Sequence, residues 1–332
     1  MPLDVLLTAG SRRVPLVNAF KRALAPLGGR VLTTDVNALS PAVLVADQAF
    51  RVPLASDPAY LLSVEHICRE EGVGLLVPTI DDELEIIGAA RDRFDASGTM
   101  VAACSAETAA ICNDKHQTSL HLRQCGIAAA ASWLPGHVPP DQPMPLFVKP
   151  RRGRGGIGAF AVRTRRELDF FLEYVEDAVV QEYLDAPEYT VDVLCNRGRP
   201  LAIVPRERVV VRAGVMDRGR TVRSQALIDL ARACAAALEF HGAINIQCRM
   251  VAGVPTVFEI NPRFSGGIPL TIEAGADFPR MLVQLALGLT VAPAIGQFTD
   301  GLWMTSYEAS MFVPGDRADE LAPHPGQARE VA

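Results

Sequence analysis

The sequence lacks the features that mark membrane, secreted and nucleic-acid-binding proteins. No apolar run reaches the roughly 18 residues of a membrane-spanning helix, and the first residues lack the basic stretch and apolar core of a secretory signal. Basic residues are in deficit, with 32 Lys and Arg against 38 Asp and Glu, which disfavours nucleic acid or an anionic membrane as a partner. The sequence therefore predicts a cytoplasmic protein with no membrane and no nucleic-acid partner.

Paired cysteines and clustered metal ligands are also missing. The seven cysteines are an odd number and form no CxxC pair, and the six histidines show no metal-ligand spacing. This argues against a disulfide framework or a zinc site and favours a reducing compartment. We interpret the cysteines as small core or surface residues.

The N-terminal third has the pattern of a parallel sheet. Short apolar runs over 3–8, 31–34, 75–78 and 100–103 alternate with helical periodicity over 14–24, 57–70 and 82–94. Strands that alternate with helices indicate βαβ crossovers. A doubly wound open domain is therefore expected here. Asp35, at the end of the second strand, resembles the ribose-binding acid of a dinucleotide fold, but the absence of GxGxxG disfavours nicotinamide binding.

The rest of the chain has a different pattern. Two helices are expected over 107–112 and 115–125, then a proline-rich connector over 135–145 and a strand over 146–150 that ends on a lysine and a proline. Strand-like sequence over 181–211 precedes a helix over 222–240, a hairpin with strands over 243–251 and 254–260, and a helix over 278–287. The tail after residue 314 is polar and rich in Pro and Gly, which predicts loose order.

The first candidate site is a glycine-rich run directly after the strand that carries Lys149. Closely spaced glycines turn backbone N–H groups toward an anion, and neighbouring cationic side chains add charge. The run matches neither a P-loop nor a Rossmann fingerprint, which leaves a flap over phosphates or a plain flexible hairpin tip. Its residues are Gly153, Arg154, Gly155, Gly156 and Gly158.

The second candidate site is a metal site on the C-terminal hairpin. Strand alternation places Glu259 and Asn261 on one face, and Gln247 on the preceding strand adds a third oxygen ligand. Such hard oxygen ligands suit Mg²⁺. Arg263 follows with a planar fork that suits a phosphate or a carboxylate. A solvated strand end is the alternative.

The third candidate site is a strand end that can read an adenine edge through its backbone. It comprises Gln181, Glu182, Tyr183 and Leu184, and Glu188 lies four residues further on, where its carboxylate can accept hydrogen bonds from ribose hydroxyls. A solvent-facing Glu188 is the usual fate of a glutamate and remains the alternative.

The order of these segments resembles that of the ATP-grasp superfamily over roughly residues 1–312. The resemblance is strongest to a stand-alone, single-module form of the carbamoyl phosphate synthase large subunit. It rests on Asn113-Asp114-Lys115, Val148-Lys149-Pro150, Arg154-Gly155-Gly156, Asn245-Ile246-Gln247 and Glu259-Ile260-Asn261-Pro262-Arg263. The sequence departs from that family at Lys149, where the synthase modules typically have arginine. A single module does not provide for two phosphorylation steps, so synthesis of carbamoyl phosphate itself is not expected.

The resemblance implies an α/β ATP-grasp fold and a set of site roles. The N-terminal doubly wound domain would span residues 1–104, a small ATP-grasp subdomain 105–184, a C-terminal subdomain 185–313 and a loose tail 314–332. ATP and Mg²⁺, with Mn²⁺ as a substitute, are the implied cofactors. Lys115 and Lys149 would contact the phosphates under the glycine-rich run, Glu182 and Leu184 the adenine, Glu188 the ribose, and Gln247, Glu259 and Asn261 the metal. Arg263, Lys149 and Asn261 would be catalytic.

The implied activity is ATP-dependent ligation of a carboxylate to an amine through an acyl phosphate, with release of ADP and phosphate. The partners would be small, amino-acid-like acids and amines, with a thiol acceptor as a less common variant and a homodimer formed through the first domain. The alternative is a non-catalytic ATP-binding subunit that senses or assembles. The resemblance implies that a group of arginines faces the acceptor pocket of the family; they are Arg206, Arg212, Arg218, Arg220 and Arg223. The substrate candidates are Arg206, Arg212, Ser265, Gly266 and Gly267.

Overall fold

The computed structural model describes residues 2–153, 155–212 and 214–315, and these form two compact units. The first unit is built mainly from the chain up to Ala102, and the second from Ala103–Phe278 with Ala292–Ser306. The tail expected after residue 314 lies, from residue 316 onward, outside the described residues. None of the helices in the described part of the chain has both the length and the apolar character that a bilayer span requires.

The first unit contains a five-stranded parallel sheet, as the alternating pattern predicted. Its strands are β1 (Asp4–Leu7), β2 (Val31–Asp35), β3 (Gln48–Arg51), β4 (Val73–Val77) and β5 (Met100–Val101), in the order β3-β2-β1-β4-β5. Its helices are α1 (Val14–Leu24), α2 (Pro41–Val45), α3 (Tyr60–Glu71), α4 (Asp81–Ala89) and α5 (Arg91–Ala96). β1 and β2 are buried along their whole length, which explains their unbroken apolar or small polar sequence.

Asp35 supports the turn after β1. One carboxylate oxygen accepts from the backbone N–H of Ser11 at 2.7 Å and the other from that of Asn37 at 2.9 Å. The carboxylate that resembled a ribose-binding acid therefore holds backbone within its own domain.

The second unit begins with two helices and a small antiparallel sheet. The helices are α6 (Ala106–Asn113) and α7 (Lys115–Gln124), and the strands are β6 (Ser132–Trp133), β7 (Leu146–Pro150), β8 (Phe160–Val162) and β9 (Ala178–Glu182), in the order β6-β9-β7-β8. Helix α8 (Arg165–Tyr174) packs on this sheet through Leu168, over a core that includes Leu146, Val148 and Val180.

A larger antiparallel sheet forms the rest of the second unit. Its strands are β10 (Glu188–Asn196), β11 (Arg199–Arg212), β12 (Val215–Thr221), β13 (Gly242–Val251), β14 (Val254–Asn261) and β15 (Trp303–Thr305), in the order β14-β13-β10-β11-β12-β15. Helices α9 (Gln225–Leu238) and α10 (Ile268–Glu273) belong to this unit, whereas α11 (Phe278–Ala286) belongs, from Pro279 onward, to the first unit. The predicted β13–β14 hairpin is confirmed, whereas β12 was not predicted.

Candidate functional site

One face of the large sheet carries an almost continuous set of polar side chains. Residues directly opposite each other on antiparallel strands project to the same side of the sheet. Thr190 lies opposite both Arg206 and Gln247, and Gln247 lies opposite Glu259. Alternate residues along the strands extend this face. We call it the polar face; it comprises Glu188, Thr190, Asp192, Arg206, Arg208, Asn245, Gln247, Arg249, Glu259 and Asn261.

Lys149 joins the small sheet to this polar face. It lies on β7 with only 6% of its surface exposed, and its Nζ donates to Oε1 of Gln181 on β9 at 2.8 Å. Gln181 Nε2 in turn donates to the carbonyl of Phe258 on β14 at 3.4 Å, and the Lys149 ammonium lies 5.7 Å from the centre of the Phe258 ring. The structure therefore brings two widely separated sequence motifs together at one lysine.

Burial lowers the pKa of Lys149 from 10.5 to about 8. The negative charge of Glu259 opposes that change, and the positive charge of Lys115 adds to it. These electrostatic interactions place Lys149 within range of both the glutamate predicted to bind metal and the second predicted phosphate lysine. A buried amine that lacks a carboxylate in direct contact is suited to receive an anion from outside the protein.

Lys115 holds the beginning of the glycine-rich loop, which connects β7 to β8. It is the first residue of α7, whose N-cap Asp114 accepts from two backbone N–H groups of the first turn. The Lys115 Nζ donates to the carbonyl of Gly153 at 2.7 Å, and Arg151 forms an ion pair with Asp114 at 2.6 Å. The positive φ values of Gly153 (130°) and Gly155 (71°) explain why this loop uses glycine. Gly156 and Gly158 also lie in it, and Arg154 lies outside the described residues.

The predicted metal ligands share the polar face near its β14 edge. The carboxylate of Glu259 makes no hydrogen bond or ion pair with any residue that the structure describes. Asn261 is buried; its Oδ1 accepts from Arg263 at 3.0 Å and its Nδ2 donates to Asn245 Oδ1 at 3.4 Å. No group of three or more His, Cys, Asp or Glu residues suited to a metal occurs among the described residues. One free carboxylate with amide oxygens fits Mg²⁺, which takes few protein ligands and completes its shell with water and phosphate.

Asn245 holds the end of β14 in place. It belongs to a motif that carries the family resemblance, but the sequence analysis assigned it no role in the site. Its Nδ2 donates to the carbonyl of Asn261 at 3.2 Å and to that of Arg263 at 3.0 Å. A buried amide that donates to two backbone carbonyls two residues apart fixes the direction in which the chain leaves β14. Its cross-strand position opposite Asn261 could have been read from the predicted hairpin register.

Glu188, the predicted ribose ligand, is held between two arginines. Its Oε1 lies 3.2 Å from NH1 of Arg208 and its Oε2 lies 2.7 Å from NH2 of Arg249. Neither arginine was predicted, because single arginines on strands form no motif. The second is bonded to the carbonyl of Ala186 as well, at 3.0 Å, so the chain between β9 and β10 is fixed to the same carboxylate.

The predicted adenine segment ends β9. The backbone N–H of Glu182 donates to the carbonyl of Ala131 at 2.8 Å, and its carboxylate accepts from the Ala131 N–H at 3.1 Å. The Tyr183 ring lies 6.4 Å from that of Phe147, and Leu184 is buried. The segment is therefore a fixed strand end whose Glu182 N–H is already used within the protein.

Arg206 requires a correction, because the guanidinium offered to a substrate carboxylate is occupied inside the protein. It is 1% exposed and forms a two-pronged ion pair with Asp192, at 2.7 and 3.0 Å, and it donates to Ser265 Oγ at 2.9 Å. Thr271 also donates to Asp192. Gly267 packs so closely on Arg206 that an added Cβ would lie 2.3 Å from NH1.

The other predicted substrate residues differ in exposure. Arg212 ends β11 with 59% of its side chain exposed and lies 3.6 Å from a carboxylate oxygen of Asp217. Gly266 is exposed and faces Val215, whereas Ser265 is buried. The turn after Arg263 therefore packs against the buried Arg206–Asp192 pair through Ser265 and Gly267.

Comparison with known proteins finds similarity for both parts of the chain. Residues 174–309 match the family described as ATP-grasp in the biosynthetic pathway with Ter operon, and residues 5–102 match the PylC-like N-terminal domain. The arginine-specific carbamoyl phosphate synthase large chain of Geobacillus stearothermophilus is 27% identical over 178 residues, which are 49% of this chain and 17% of that one. The vancomycin/teicoplanin A-type resistance protein VanA of Enterococcus faecium is 29% identical over 119 residues, which are 33% of this chain and 34% of that one.

Solved structures show the same fold. The biotin carboxylase domain of Hydrogenobacter thermophilus 2-oxoglutarate carboxylase aligns with a TM-score of 0.72 at 15% identity, over 91% of this chain and 74% of that one. The L-amino acid ligase of Bacillus licheniformis aligns with a TM-score of 0.68 at 18% identity, over 86% and 74%. The chain spans less than a fifth of the length of the synthase large chain that it matches. The expected α/β ATP-grasp fold is confirmed, and the chain is similar to ATP-grasp proteins, with a segment that matches the PylC-like N-terminal domain before a module similar to that of the carbamoyl phosphate synthase large chain.

Proposed function

We propose that this chain is an ADP-forming ligase that uses MgATP to join a carboxylate to an amine. The observation that carries the proposal is the position of Lys149, buried between the two sheets of the second unit and within electrostatic range of Lys115, Glu188 and Glu259. The similarity to carbamoyl phosphate synthase large chains and the fold shared with an L-amino acid ligase support the reaction class.

The nucleotide would lie between the glycine-rich loop and the polar face. Lys115 and Lys149 would contact its phosphates, Glu188 its ribose hydroxyls, and the backbone of the segment from Gln181 to Leu184 its adenine. Bound Mg²⁺ would neutralise phosphate charge and hold the phosphates in one geometry, and Glu259 with Gln247 and Asn261 would supply its protein ligands.

The reaction would proceed in two displacements. An oxygen of the substrate carboxylate attacks the γ-phosphorus, and the bond from that phosphorus to the oxygen that bridges it to the β-phosphorus breaks. The products of this step are an acyl phosphate and ADP. The nitrogen of a neutral amine then attacks the acyl carbon, phosphate leaves with the former carboxylate oxygen, and the amine proton passes to solvent. Protein groups contribute position and charge, which dominate phosphoryl transfer. Lys149 and Arg263 would spread the charge of the transferred group, and the loop would exclude water.

A panel of amino acids and small amines with MgATP, scored by ADP release and by mass spectrometry of products, tests this proposal. One acid–amine pair should release ADP and phosphate in equal amounts and yield the amide. Glu259→Gln should lose at least about a hundredfold in rate, since it removes the only carboxylate among the proposed metal ligands. Glu207→Gln is the matched control: Glu207 pairs with Arg220 on the opposite face of the sheet, and its loss should leave the rate unchanged.

Three results would contradict the proposal. Formation of AMP and pyrophosphate would exclude the acyl phosphate route. Full activity of the Glu259→Gln variant would remove the metal assignment. Tight MgATP binding without turnover across the whole panel would favour a nucleotide-binding subunit that senses or assembles.

A further inference from the structure

Arg208 bonds to two parts of the site at once. Its side chain is 5% exposed; NH1 lies 3.2 Å from Glu188 Oε1, and NH2 donates to the carbonyl of Gly214 at 2.8 Å. Gly214 lies in the turn between β11 and β12. Burial lowers the pKa of Arg208, and its Nε has no hydrogen-bond partner. A buried guanidinium whose N–H groups are not all hydrogen-bonded costs folding free energy, which is unexpected for a residue with a purely structural role.

The turn that Arg208 holds lies against the glycine-rich loop. A Cβ built on Gly214 would stand 2.8 Å from both the carbonyl carbon and the oxygen of Gly155, so the two backbones touch without room for a side chain. Gly214 has a φ of 73°, which favours glycine for a second reason. The loop is thus contacted by Gly214 near its middle and by Lys115 at Gly153.

Arg249 provides an internal comparison. It binds the other oxygen of Glu188 at 2.7 Å, but its second bond goes to Ala186 on the chain that follows the adenine segment. The two arginines therefore share one carboxylate and differ in what else they hold. Only Arg208 connects that carboxylate to the turn against the loop.

On the basis of the proposed function, we propose that Arg208 is a positioning residue that ties the sugar-binding carboxylate of Glu188 to the β11–β12 turn and so holds the glycine-rich loop over the nucleotide phosphates. Through this link, ordering of the loop by nucleotide depends on Arg208. The sequence contains no motif for such a role, because it arises from strand register and from one backbone contact.

Hydrogen–deuterium exchange of the loop, residues 151–159, tests this inference in the full chain at saturating Mg²⁺ and a non-hydrolysable ATP analogue. Wild type should show slowed exchange on nucleotide addition. Arg208→Lys should exchange about tenfold faster than wild type at saturation, the effect of one charge-assisted hydrogen bond. Arg249→Lys should bind the analogue more weakly and, once saturated, protect the loop as wild type does.

Gly214→Ala tests the same link without touching a charge. Its Cβ should displace the loop and speed its exchange as Arg208→Lys does, while affinity for adenosine, which has no phosphates, stays near the wild-type value. Wild-type loop protection in Arg208→Lys, or equal loss of protection in Arg208→Lys and Arg249→Lys, would overturn the inference. Failure of wild type to bind a fluorescent ADP analogue would instead contradict the proposed function, so the two failures are distinguishable.

Discussion

The buried amine of Lys149 has an effect on the free energy of unfolding that can be worked out from the structure. Its pKa falls from 10.5 to about 8 on folding, chiefly because of burial. At about 1.4 kcal/mol per pKa unit, the charged amine costs about 3 kcal/mol of folding free energy at pH 7. Replacement by methionine removes this cost but leaves the Gln181 oxygen without its donor, which costs about 1–2 kcal/mol. Lys149→Met should therefore stabilise the protein by about 1–2 kcal/mol at pH 7 while abolishing ADP release.

The difference in unfolding free energy between Lys149→Met and wild type should change sign with pH. Below pH 8 lysine is protonated in both states, so the full cost is present. Between pH 8 and 10.5 the unfolded chain binds more protons than the folded protein, so wild-type stability rises with pH relative to the variant. Above pH 10.5 both states are neutral and the cost vanishes, which leaves only the lost hydrogen bond. The variant should be more stable than wild type at pH 7 and less stable near pH 10.5.

Urea unfolding followed by tryptophan fluorescence measures this difference in unfolding free energy for the second structural unit, which contains Lys149. The only two tryptophans, Trp133 and Trp303, both lie in the second unit with Lys149. Lys21→Met is the control, because Lys21 lies in the first unit, partly exposed, in an ion pair with Asp47 at 2.7 Å. A Lys149→Met variant that is less stable than wild type at pH 7 would refute the reasoning, as would a stability difference that does not change between pH 7 and 10.5.

Three further predictions follow from single contacts. Binding of MgATP at pH 8 should take up a fraction of a proton as phosphate charge raises the pKa of Lys149; calorimetry in two buffers of different ionisation enthalpy should show this uptake, and Lys149→Met should lack it. Gly267→Ala should lower the melting temperature and ADP release, because its Cβ would lie 2.3 Å from Arg206, whereas Gly315→Ala, in open space, should do neither. Asn245→Ala should raise the Mg²⁺ concentration needed for half-maximal rate and cost about 1–3 kcal/mol of stability; unchanged magnesium dependence would count against its supporting role.

Residues inside strong local patterns could be predicted from sequence. Lys149 lies near the end of an apolar strand before a glycine-rich run, and Glu259 alternates with Asn261 on the second strand of a hairpin. The order of the segments, which resembles that of the ATP-grasp superfamily, gave them their expected roles, whereas the strand pattern places them on strands. The parallel sheet of the first unit follows from the same reasoning. β3 and β12 were missed because Gln48–Arg51 is only partly buried and Val215–Thr221 has charged residues among its alternating positions.

Contacts between strands distant in sequence could not be predicted. Arg206 and Arg208 lie two residues apart on one strand, and nothing in the local sequence distinguishes them. The register of β10 against β11 gives Arg206 a buried carboxylate in Asp192 and gives Arg208 the site carboxylate Glu188. Arg206 was offered to a substrate carboxylate and Arg208 was not singled out, because the pairing of charges is a property of the assembled sheet.

We propose that one cleft for magnesium and nucleotide lies between the small sheet and the polar face. Anomalous diffraction from crystals grown with Mn²⁺ and a non-hydrolysable ATP analogue tests it most directly. We expect a manganese peak about 2 Å from a Glu259 carboxylate oxygen, with the phosphates extending from it toward Lys149 and the glycine-rich loop. Nucleotide bound elsewhere, or manganese absent from Glu259 while nucleotide is present, would contradict it.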